Sequence, residues 1–100
     1  MINFVKIEEQ CIVQLNIDYV PLHDIVREFS GFDKAPTEAD FLIALNFLEY
    51  LIIKYRLKCL IGPDLADFDK PVSELIAWLK NKWYSNEYED INYAVWLEKQ

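Results

Sequence analysis

The groups with the richest chemistry in this chain are few and widely spaced. There is one histidine, His23, and neither an HExxH nor a CxxC spacing accompanies it, so a histidine-rich metal site cannot be assembled. Cys11 and Cys59 each sit in an apolar run. A Cys–His nucleophile would need one of those thiols accessible beside His23, whereas their setting predicts buried, reduced thiols and no disulfide. Two glycines are too few for a phosphate-cradling loop or a dinucleotide fingerprint. No cofactor and no catalytic residue are expected.

Oxygen ligands are more plentiful. Asp64, Asp67 and Asp69 lie close together in a loop, but an EF-hand needs a denser oxygen pattern, a central Gly and a Glu at its twelfth position. Leu65, Phe68 and Pro71 interrupt the run. The expectation is no metal: Asp64 closing a turn after Pro63 and Asp69 capping the helix that begins near Pro71. A small enzyme built on paired carboxylates would require a deep cleft holding both, and no enzyme is expected.

The last third of the chain offers a different chemistry. Trp78, Trp83, Tyr84, Tyr88, Tyr93 and Trp96 are interleaved with Glu87, Glu89 and Asp90. Large rings contribute contact area at low rotamer cost, and adjacent carboxylates can pair with Lys or Arg on a basic partner. Trp83 and Tyr93 are assigned to the core, Tyr84 and Tyr88 to an exposed polar connector. The predicted partner-binding surface is Asp64, Asp67 and Asp69 with Tyr84, Glu87, Tyr88, Glu89 and Asp90. The intervening helix spans ~20 Å at 1.5 Å per residue, so the two groups would frame one footprint.

The whole-chain charge agrees with a basic partner. Ten Lys and Arg face seventeen Asp and Glu, a formal net charge of −7 over 100 residues. That field repels phosphate backbones and anionic lipid, so neither nucleic acid nor a membrane is expected as a direct ligand. The longest apolar stretch, Phe41 to Ile53, is broken by Asn46 and Glu49 and is shorter than the ~20 residues of a membrane span. No basic segment followed by an apolar one opens the chain, and a cytoplasmic protein is expected.

These residues must be held by a single domain over 1–100. Hydrophobic residues make up 53% of it, enough for a core without disulfides or metals. Val13, Leu15, Ile17 and Tyr19 alternate with polar residues and predict a strand from about Ile12 to Tyr19. The segment before it is ambiguous, because Ile7 and Cys11 are four apart. Pro21 opens a short helix with Leu22, Ile25, Val26 and Phe29 on one stripe, ended by Ser30-Gly31. Thr37 and Asp40 have capping-box spacing and start a long helix to about Arg56, apolar nearly all round and therefore central. Leu57 to Ile61 reads as a short strand. Val72, Leu75, Ile76, Leu79 and Trp83 follow helical spacing, and Ile91, Tyr93, Val95 and Leu97 alternate as a closing strand. The expected fold is α+β, a small antiparallel sheet packed by three helices around one long central helix.

The succession FLIALNFLEYLI, RLKCLIG, SELIAWLKNKW and INYAVWLEK resembles small immunity proteins of contact-dependent growth inhibition and related bacterial polymorphic-toxin systems. It is also similar to a domain-of-unknown-function family found in such loci. The likeness runs over about residues 20 to 98. One departure is the turn Tyr55-Arg56-Leu57-Lys58, which lacks the glycine that the pattern leads one to expect. The resemblance implies a cytoplasmic bacterial protein that binds a cognate toxin C-terminal domain and blocks it, with a basic nuclease as the expected target. The charge alone also admits an acidic inhibitor or adaptor of another nucleic-acid enzyme, such as a phage anti-defence protein.

Overall fold

A computed structural model of the chain describes residues 3–31, 35–85 and 95–99. Among these residues four helices pack with a four-stranded antiparallel sheet, an α+β architecture. The first element departs from expectation. Residues 12–19 do not form a strand: helix α1, Phe4–Leu15, occupies the first half of them, followed by a turn through Asn16. Ile7, Cys11 and Leu15 are its buried residues, a spacing of four that a helix places on one face. Val13 and Ile17, which a strand would have buried with Leu15, are 61% and 77% exposed. Both periods coexist in this segment, and the helical one wins because it starts earlier and is capped. The Asn3 carboxamide oxygen accepts from the Lys6 amide at 3.1 Å, satisfying one of the helix's orphan donors.

Pairing begins only at β1, Val20–Pro21. It is an edge strand, where a proline costs the sheet no ladder bond. Helix α2, Leu22–Ser30, follows at once and buries Leu22, Ile25, Val26 and Phe29 as its spacing predicts. Pro21 is its N-cap, one place before the first turn. Gly31 ends it at a φ of 90°, a backbone state costly for any side chain.

Helix α3, Glu38–Tyr55, is the centre of the molecule. Its start is the expected capping box: the Thr37 hydroxyl accepts from the Asp40 amide and the Asp40 carboxylate accepts from the Thr37 amide, both at 3.2 Å. Phe41, Ala44, Leu45, Leu48 and Leu51 are completely covered, each large one contributing roughly 1.5–3 kcal/mol of transfer free energy. At the far end Arg56 stands in the left-handed region, φ 53° and ψ 50°. The Leu57 amide reaches back to the Ile52 carbonyl at 3.1 Å, the six-to-one bond of a Schellman ending. This is the position at which the sequence lacks a glycine, and Arg56 supplies the geometry under strain.

Strand β2, Lys58–Ile61, turns through residues 62–65 into β3, Ala66–Asp67, a strand the loop reading had not included. Helix α4 runs from Val72 to Tyr84 and burial of Leu75, Ile76 and Leu79 holds it down. Its N-cap is Pro71, with no side chain capping it, so Asp69 is not the cap expected of it. The last strand, β4, is Val95–Glu98; the proposed start of that strand at Ile91, and Tyr93 with it, lie outside the described residues. β4 is nonetheless interior to the sheet, whose order is β1-β4-β2-β3. Leu97 stands opposite Val20 on one side and Cys59 on the other, so the C-terminal segment ties the two halves of the chain together. Among the described residues no helix is long and apolar enough to cross a membrane.

Candidate protein-binding surfaces

The first surface is the one marked by the aspartates and Tyr84. Asp64 lies in the exposed turn between β2 and β3, Asp67 on β3 and Asp69 just before α4. Asp67 and Asp69 line an open groove of about 250 Å³ floored by Ile52, Leu57, Cys59 and Leu75. Lys58 and Lys70 line the same groove, and the Lys58 ammonium stands 3.5 Å from the Asp67 carboxylate. This end of the molecule is therefore mixed in charge. No described carboxylate here or elsewhere is buried, and the aspartate pair stands in an open groove, not a deep cleft.

Tyr84 marks the other end of α4. It is exposed as expected, at 61%, but it is the last residue of the helix and not the first of a connector. Its hydroxyl donates to Glu38 at the start of α3 at 2.8 Å, and that bond raises the phenol's pKa. Beneath it, Trp83 stacks on Phe41 with ring centroids 4.6 Å apart and planes 15° from parallel. With Ile52 of α3 beside Val72 and Leu75 at the other end, these contacts run α4 antiparallel to α3. Ser73, Glu74, Ala77, Lys80, Asn81 and Tyr84 are the exposed residues of α4, a stripe at helical spacing that joins the aspartate end to the Tyr84 end. The aspartates stand at the N-terminal end of α4 and Tyr84 at its C-terminal end, and they do not form one cluster. Glu87, Tyr88, Glu89 and Asp90 lie outside the described residues.

The second surface was not foreseen. Phe4, Val5 and Glu8 of α1 face Ile43, Asn46, Phe47 and Tyr50 of α3 across a groove of about 520 Å³. Phe47 packs edge-on against Phe29 at 5.5 Å between centroids, and Phe4 covers both at 5.6 and 6.1 Å. At one end Glu8 gathers three donors. The Lys54 ammonium bonds it at 2.8 Å, the Tyr50 hydroxyl at 2.6 Å, and the Tyr55 hydroxyl bonds it as well. Lys54 also lies 5.3 Å from the centres of both tyrosine rings. With the Lys54 bond as the largest cause and the tyrosines next, the Glu8 carboxyl is pulled down to about 2. Lys54 is raised in turn, chiefly by its bond to Glu8. Val5 is 69% exposed and Ile53, a turn beyond Tyr50, 62%. The available signal was the all-round apolar character of α3: more apolar surface than two helices and a small sheet can cover.

A third groove, about 340 Å³, runs between α1 and α2. Gln10 and Gln14 face Asp24 and Glu28 above Ile7, Cys11 and Ile25. His23 lies 3.0 Å from Asp24. Cys11 and Cys59 are buried free thiols. Burial, assisted by Glu28, Asp24 and Glu8, pushes Cys11 up to about 11; burial alone pushes Cys59 up to about 12. At neutral pH both stay protonated and therefore poor nucleophiles.

No family model, no curated protein and no solved structure matches this chain.

Proposed function

We propose that this chain is a toxin-neutralising immunity protein that binds a cognate bacterial toxin domain and occludes its active site, the target being a basic nuclease. The observation that carries the reading is the surplus of negative charge, −7 over 100 residues, displayed by carboxylates none of which is buried among the described residues. Such a field draws a cationic, phosphate-binding cleft toward it and raises the encounter rate. The resemblance to immunity proteins rests on the order and composition of sequence segments, and fold does not by itself assign function. The mechanism is stoichiometric occlusion. Protection of a cell's nucleic acid calls for affinity near nanomolar, about −12 kcal/mol, which charge steering cannot supply without desolvated aromatic or aliphatic anchors.

The deciding experiment is co-expression with the toxin domain encoded beside this gene. Rescue of growth at equal expression, with a 1:1 complex on purification, is the expected result. Continued killing at equal expression overturns the reading.

A further inference from the structure

We propose that the groove between α1 and α3 is an anchor site for a cationic amphipathic helix of the partner protein. The inference rests on the reading of the chain as a protein-binding inhibitor and names the surface and the partner chemistry.

The shape comes first. On α3 the groove wall is Ile43, Asn46, Phe47 and Tyr50, spaced i, i+3, i+4 and i+7, so it presents about two turns of helix, ~10 Å long. Opposite it, Phe4, Val5 and Glu8 of α1 repeat the same periodicity. Two helices walling a trough of this length match the apolar face of a third, which inserts side chains at i, i+3 or i+4 and i+7. The wall is also pre-ordered. Phe47 is held by Phe29 and Phe4, and the Tyr50 hydroxyl is fixed between Glu8 and Lys54. Rings already immobilised lose little further entropy on binding.

Charge selects the occupant. Glu8 is already paired with Lys54, so the negative charge open to a partner is that of Glu9 and Glu49 on the same two helices and of the chain's net −7. A second copy of the chain would bring another net −7 against this face. A helix with Leu on one face and Lys or Arg on its flanks meets both requirements: the apolar stripe fills the trough and the cations answer the carboxylates.

The test uses the full chain and three synthetic peptides of equal length. One is a helix patterned with Leu at i, i+3, i+4 and i+7 and Lys elsewhere; the second has the same composition scrambled; the third carries Glu in place of Lys. Saturable binding of the first alone is expected, with amide shifts centred on Val5, Ile43, Asn46, Phe47 and Tyr50. Val5 and Asn46 are exposed, so Val5→Lys with Asn46→Lys should leave the melting curve unchanged and weaken peptide binding by about tenfold or more. Equal binding of the scrambled peptide, shifts confined to another face, indifference to the double variant, or a concentration-dependent dimer sealing this groove each overturns the proposal. Toxin neutralisation separates the two levels. If the peptide binds here but the neighbouring toxin still kills, only the immunity reading fails. If the toxin is neutralised and the peptide ignores the groove, only the anchor site fails.

Discussion

The exposed face of α4 and the groove between α1 and α3 belong to elements that pack on the same long helix, yet have opposite chemistry. Along α4, Glu74, Lys80, Asn81 and Tyr84 alternate sign and polarity, and the aspartates at its start stand among Lys58 and Lys70. That face is well hydrated, and its ion pairs are exposed ones that contribute little to stability or affinity. The α1–α3 groove is mostly carbon, and its single carboxylate is held by three donors. In the proposed binding role the difference separates two duties. Exposed charge governs how fast a partner arrives, whereas an apolar trough with fixed rings governs how long it stays.

The largest way to break the comparison is Phe41→Ala. Phe41 is completely buried and stacks on Trp83, so removing it costs about 3–5 kcal/mol. Because Phe41 is the ring on which the C-terminal end of α4 rests, hydrogen exchange should accelerate first in α4, with α1 and the Glu8 cluster affected only through global opening. Chemical denaturation with amide-exchange mass spectrometry reads both. Uniform acceleration throughout the chain would mean that the two faces are one cooperative unit.

A middle-sized effect is expected at Glu8, and it depends on pH. Its folded pKa, about 2, lies below the ordinary 4.5. The stabilisation from its ionised form is therefore fully present above pH 4.5 and is lost as pH falls through about 2. Glu8→Gln should lower the melting temperature by a few degrees at pH 7 and leave the variant less sensitive to acid than the wild type. The corresponding loss of a hydroxyl on the other face, Tyr84→Phe, should shift the melting temperature by no more than about a degree or two, as exposed sites do. Equal effects would show that the Glu8 cluster is no more ordered than the Tyr84–Glu38 bond.

The smallest effect concerns Arg56, where α3 turns toward the sheet. Its left-handed backbone, φ 53°, favours glycine, and Arg56 is exposed. Arg56→Gly should stabilise the fold by about 0.5–1 kcal/mol, the relief of strain exceeding the entropy that glycine adds to the unfolded chain. Urea denaturation resolves such a change, and a net loss would show that the arginine side chain makes a compensating contact.

Elements with one dominant local period were legible in the sequence. The stripe Leu22, Ile25, Val26 and Phe29, the Thr37–Asp40 capping box and the run Leu75, Ile76 and Leu79 each specify a helix by themselves, because turn and cap are satisfied within a few residues. Residues 11–17 carry two periods. Val13, Leu15 and Ile17 alternate as a strand would, while Ile7, Cys11 and Leu15 recur as a helix does. The contest was settled by which set the rest of the molecule could bury. The candidate surfaces divide in the same way. An exposed Tyr84 follows from its polar surroundings, but its bond to Glu38 joins residues 46 positions apart.

By itself the sequence determined the helices α2, α3 and α4, the short strand after α3, the buried thiols and a strongly acidic surface. These depend on side-chain periodicity, local capping and net charge, which are properties of the chain before it folds. Only the tertiary structure decided that α1 is a helix, that β4 lies between β1 and β2, and that Glu8 meets Tyr50, Lys54 and Tyr55. The last contact closes loops of 42 to 47 residues. No local pattern encodes such a meeting, because it exists only once burial of Ile7, Cys11 and Leu15 has laid one helix against the rest.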